Sequence, residues 1–172
     1  GLLGLQNIIG FVGMALIAAL YPLLVMTGMH MVLITALFQV FATQGFDGFA
    51  GPALTFASFS VMGVCIGAML RIKNREPCLY GICTRYKKPF IGLLAGGFAG
   101  GLYAGLMGVI SANLVPSTNF MSALAFTGGT GANLIHGLIG CIIALVVAAV
   151  VTYLFGFSKD DPALVKEADV SR

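Results

Sequence analysis

The first 46 residues contain no Asp, Glu, Lys or Arg; Asp47 is the first charged side chain and Arg71 the second. A second uncharged run extends from residue 89 to residue 158. A chain of this kind cannot cover itself with a water-facing surface, because soluble domains carry about 25% charged residues and this one carries 9%. Disorder is excluded on the same ground, since it requires low hydrophobicity and high charge, whereas 59% of these residues are hydrophobic and the mean hydropathy is +1.01. The pattern specifies an integral membrane protein. At about 20 residues per spanning helix, 172 residues allow four to six membrane segments.

Six of the nine basic residues lie between Arg71 and Lys88. The net charge of +3 therefore describes one loop and implies no nucleic acid. Placed inside by the excess of Lys and Arg in cytoplasmic loops, that loop orients the chain. Five apolar stretches surround it, at 8–26, 29–42, 53–70, 90–115 and 134–157. The first contains Pro22 and is expected to kink or end there. The second is short for a span and fits a re-entrant arm. Residues 116–133, rich in Ser, Thr, Asn and Gly, form an outer or re-entrant loop. The tail 158–172 reads as a charged cytoplasmic linker.

The 24 glycines are about twice ordinary usage. Gly92, Gly96 and Gly100, and then Gly97, Gly101 and Gly105, draw two smooth stripes along the fourth stretch, the pattern of close helix packing in lipid. Thr127-Gly128-Gly129-Thr130-Gly131 lacks the Gly-Lys-Ser/Thr ending of a phosphate loop and reads as irregular backbone. Cys65 and Cys141 lie in apolar runs, and Cys78 and Cys83 share the basic loop without partners for zinc, so no metal and no cofactor is expected.

Ionisable groups at membrane depth are costly and mark functional sites by default. His30 lies among apolar residues and reads either as a histidine satisfied by a backbone carbonyl or as a ligand-binding group. His136 opens the last stretch, where an interfacial position suffices. Glu76, among six basic residues, reads by charge alone as a loop ion pair, and Asp47 as a turn residue beside Gly45 and Gly48.

Two strings carry a resemblance. Tyr21-Pro22-Leu23-Leu24-Val25-Met26-Thr27-Gly28-Met29-His30, and Glu76-Pro77-Cys78-Leu79-Tyr80-Gly81-Ile82 followed by Tyr86-Lys87-Lys88-Pro89-Phe90-Ile91, resemble the P-x-x-x-T-G-M-H-H and E-P-x-x-Y/F-G-V … K-x-P-F elements of membrane permeases (EIIC domains) of the bacterial phosphoenolpyruvate-dependent sugar phosphotransferase system. The glycine-rich fourth stretch and Tyr153-Leu154-Phe155-Gly156-Phe157 follow in the same order. The nearest branch is the β-glucoside, sucrose and trehalose group of the glucose superfamily.

The resemblance implies an all-α polytopic bundle with broken helices and re-entrant hairpins, the substrate-binding half of an EIIC domain over residues 1–157. It implies a sugar permease of the bacterial inner membrane in which His30 and Glu76 contact the sugar, with Thr27, Gly28 and Gln44 beside them. Glu76 would act as general base on the hydroxyl that accepts the phosphoryl group. It implies EIIB and EIIA partners, EIIB donating from a phosphocysteine, and a homodimer formed through a half absent from this chain. Two departures stand out. His30 is followed by Met31 where the family has a second His. Glu76 follows Arg71-Ile72-Lys73-Asn74-Arg75 in place of a small-residue run, so that about one hairpin arm, roughly 15–20 residues, is missing between residues 75 and 76. The competing classes are a passive channel and a non-transporting binding fragment.

Overall fold

The computed structural model describes residues 2–48, 50–71, 89–113 and 120–156. The described residues form five α-helices and one short 3-10 helix: α1 Leu2–Met26, α2 His30–Gln44, α3 Ala50–Arg71, α4 Pro89–Met107, the 3-10 helix Phe120–Phe126, and α5 Gly131–Phe155. No strand occurs among the described residues, and the sole β feature is an isolated bridge between Asp47 and Ser111. The fold is an all-α helix bundle. Three helices are long and apolar enough to cross a membrane, in α3, α4 and α5. The apolar Gly10–Val25 stretch of α1 is shorter, and so is the 15-residue α2. Of the expected four to six segments, the described residues hold three helices long and apolar enough to span, the 25-residue α1 and the shorter α2.

α4 is the central element, and its glycines explain why. Gly92, Gly96 and Gly100 lie against Thr152, Ala148 and Ala144 of α5, while Gly97, Gly101 and Gly105 lie against Ala18, Ala15 and Phe11 of α1. Both stripes are used, one per neighbour, so α4 runs antiparallel to α1 and to α5. A Cβ at Gly100 would stand 2.8 Å from the Ala144 Cβ, and one at Gly105 2.6 Å from the Phe11 Cα. α3 packs on α5 through Gly63 and Gly67, which face the Leu145 and Ala149 carbonyls. Without a hydrophobic driving force between helices in lipid, such close backbone approach supplies the van der Waals contact.

Pro22 does not end α1, which continues to Met26. The carbonyl of Ala18, four residues earlier, loses the N–H that a helix would aim at it. That oxygen lies against Gly97 of α4, so the neighbouring helix covers it. α4 stops sooner than the apolar run suggests. Gly108 takes φ +65°, the left-handed turn that glycine makes at no steric cost, and residues 109–113 run on without helix. In the described part of the 116–133 loop, Phe126 is fully buried and stacks on Phe56 at 5.8 Å, and Ser122 is fully buried too.

Candidate functional site

The turn between α1 and α2 is built from Thr27, Gly28 and Met29. The Thr27 hydroxyl donates to the Leu24 carbonyl at 3.1 Å, and the Gly28 N–H donates to Val25 O, closing the end of α1. Gly28 then turns the chain with φ +77°. Nothing lies within 4 Å of where its Cβ would be, so the position demands glycine for backbone conformation and not for space. His30 begins α2 directly after this turn, which puts its backbone at a helix start, where N–H groups lack intrahelical partners.

Glu76 lies outside the described residues. The helices on either side still locate the ends of its segment. α3 and α4 are antiparallel, with the Ser60 hydroxyl donating to Leu93 O, so Arg71 and Pro89 leave and enter the bundle at one end. The antiparallel pairing of α4 with α1 puts Met26, and hence His30, at that same end. Gln44 is elsewhere. It closes α2 fourteen residues after His30, about 21 Å along the helix axis at 1.5 Å per residue. The fold therefore gathers Thr27, Gly28, His30 and both ends of the Glu76 segment at one end, and sets Gln44 at the other.

The basic end is pinned by Arg71. Its guanidinium donates to the Tyr153 carbonyl and lies 5.5 Å from the centre of the Tyr153 ring, joining the last turns of α3 and α5. The Arg side chain thus meets the unpaired carbonyls at a helix C-terminus.

The opposite end holds polar groups that satisfy irregular backbone, as membrane burial requires. Asp47 is 3% exposed. It exchanges backbone hydrogen bonds with Ser111, at 2.9 and 2.7 Å, and its Oδ2 accepts the Gly51 N–H at 2.5 Å. It caps the first turn of α3, as a turn residue beside Gly45 and Gly48 could, but from a buried position. Asn133 was not singled out by the sequence. Its side-chain amide pairs with both backbone groups of Ile110, Oδ1 accepting from Ile110 N and Nδ2 donating to Ile110 O, each at 2.9 Å. Nδ2 also reaches Phe126 O at 3.3 Å. His136, one turn further on, meets the Tyr103 hydroxyl through Nδ1 at 3.0 Å, so it bonds across α4 and α5 and is more than an interfacial residue. A short Thr130–x–x–Asn133 pattern could have flagged the helix start, where Thr130 Oγ1 accepts the Asn133 N–H, though not the grip on Ile110. Among the described residues no group of three or more His, Cys, Asp or Glu could hold a metal ion.

No family model matches the chain, and no solved structure matches it. Curated proteins do. The phosphotransferase-system (PTS) beta-glucoside-specific EIIBCA component of Bacillus subtilis is 32% identical over 90% of this chain and 27% of its own length. The arbutin-, cellobiose-, and salicin-specific EIIBC component of Escherichia coli is 29% identical over 89% of this chain and 36% of its own. The N-acetylmuramic acid-specific EIIBC component of Pasteurella multocida is 30% identical over 92% and 37%. The chain thus spans between a quarter and two-fifths of these three relatives. With an all-α bundle of spanning helices, the ordered motifs, and likeness over nine-tenths of its length to PTS components alone among these three, the chain belongs to the EIIC domains of the glucose superfamily of the sugar phosphotransferase system.

Proposed function

We propose that this chain is the substrate-binding part of a PTS sugar permease. It binds a glucoside or disaccharide of the β-glucoside, sucrose or trehalose class in a membrane cavity, and it moves the sugar inward coupled to phosphorylation. The observation that carries this reading is the meeting, at one end of the bundle, of the Thr27-Gly28-Met29-His30 turn with both ends of the segment bearing Glu76. The relatives named for beta-glucosides and for arbutin, cellobiose and salicin support the β-glucoside part of that class.

In this reading His30 and Glu76 hydrogen-bond the sugar. Glu76 takes the proton of the accepting hydroxyl as its oxygen attacks phosphorus. The P–S bond of the EIIB phosphocysteine breaks, a sugar phosphate ester forms, and the cysteine leaves as thiolate. The protein's main contribution to such a transfer is positioning. EIIB and EIIA are partners, the bacterial inner membrane is the location, and the 158–172 tail is cytoplasmic. A homodimer forms through the half of the permease that this chain does not contain.

The segment 1–157 is a partial transport domain, with one hairpin arm missing between Arg75 and Glu76. The alignment with the Bacillus protein supports this: it extends over 172 positions yet takes up only 90% of this 172-residue chain, so that relative has positions with no counterpart here. A non-transporting binding fragment is the second reading favoured by the same observation.

The test is uptake of radiolabelled cellobiose or salicin in cells lacking their own β-glucoside permeases, supplied with the remainder of a PTS permease and its EIIB. Uptake that requires phosphoenolpyruvate and is abolished by His30→Ala and Glu76→Ala is expected. Sugar binding without uptake selects the second reading, and uptake untouched by both substitutions removes the site assignment.

A further inference from the structure

We draw no further inference here: the strongest candidate, the buried cluster of Asp47 and Ser111 between the start of α3 and the stretch after α4, is already accounted for as the cap on α3 and the bridge to residues 109–113, and nothing in the structure identifies a ligand for the Ser111 hydroxyl beside it.

Discussion

The carbonyl oxygen of Ala18 lies against Gly97, where a Cβ would stand, and it is the same oxygen that Pro22 leaves without a helical hydrogen bond. Two sequence features 75 residues apart, a proline in α1 and a glycine in α4, thus meet in one contact.

Replacing Gly97 with Ala would set a Cβ against the Ala18 carbonyl and 3.1 Å from the Ala19 Cα. Backbone cannot step aside as a side chain can, so Gly97→Ala is expected to destabilise the bundle by about 2–3 kcal/mol. Gly10 of α1 has nothing within 4 Å of its missing Cβ, and Gly10→Ala should be neutral or slightly stabilising through helix propensity. Unfolding in detergent, followed by circular dichroism, separates the two.

Asn133→Leu removes three hydrogen bonds from backbone groups of Ile110 and Phe126. At about 1–3 kcal/mol for each buried group left unpaired, the loss should total about 3 kcal/mol or more. Faster amide exchange at Ile110 is the direct measurement. Asn113→Leu, at an exposed position, should change stability by less than about 1 kcal/mol.

Ser111 and Asp47 share a bridge but should respond oppositely. The Ser111 hydroxyl is buried with no hydrogen-bond partner among the described residues, so Ser111→Ala relieves an unpaired group and is expected to be neutral or stabilising by about 1 kcal/mol. Asp47→Ala strips the acceptor from the Gly51 N–H and should cost about 1–2 kcal/mol. Chemical denaturation of both variants checks the sign of each.

Arg71→Lys keeps the charge at the basic end but loses the guanidinium that reaches both the Tyr153 carbonyl and its ring. A loss of about 0.5–1 kcal/mol is expected, with Tyr153→Leu in the Arg71→Lys background adding little more. A double-mutant cycle on thermal unfolding tests that non-additivity.

Uncharged runs specified the membrane bundle, and glycine spacing specified which faces of α4 meet its neighbours, because both are periodic properties read along one helix. The Thr27-Gly28 turn falls between the first two apolar stretches, 8–26 and 29–42, although Pro22 was expected to kink or end α1 before it. The grip of Asn133 on Ile110 was not legible. It joins residues 23 apart across an irregular stretch, and no local periodicity reports such a pairing. The early stop of α4 was missed because residues 108–115 are as apolar as the helix before them, and one left-handed glycine outweighs that hydropathy.

The two glycine faces of α4 also bear on motion. Where helices interlock through large side chains, sliding one past another means lifting knobs out of holes. α4 presents α1 and α5 with nearly bare backbone, so displacement along its axis meets few steric detents. A bundle built on such a rail holds its helix spacing tightly while leaving shear between its elements inexpensive.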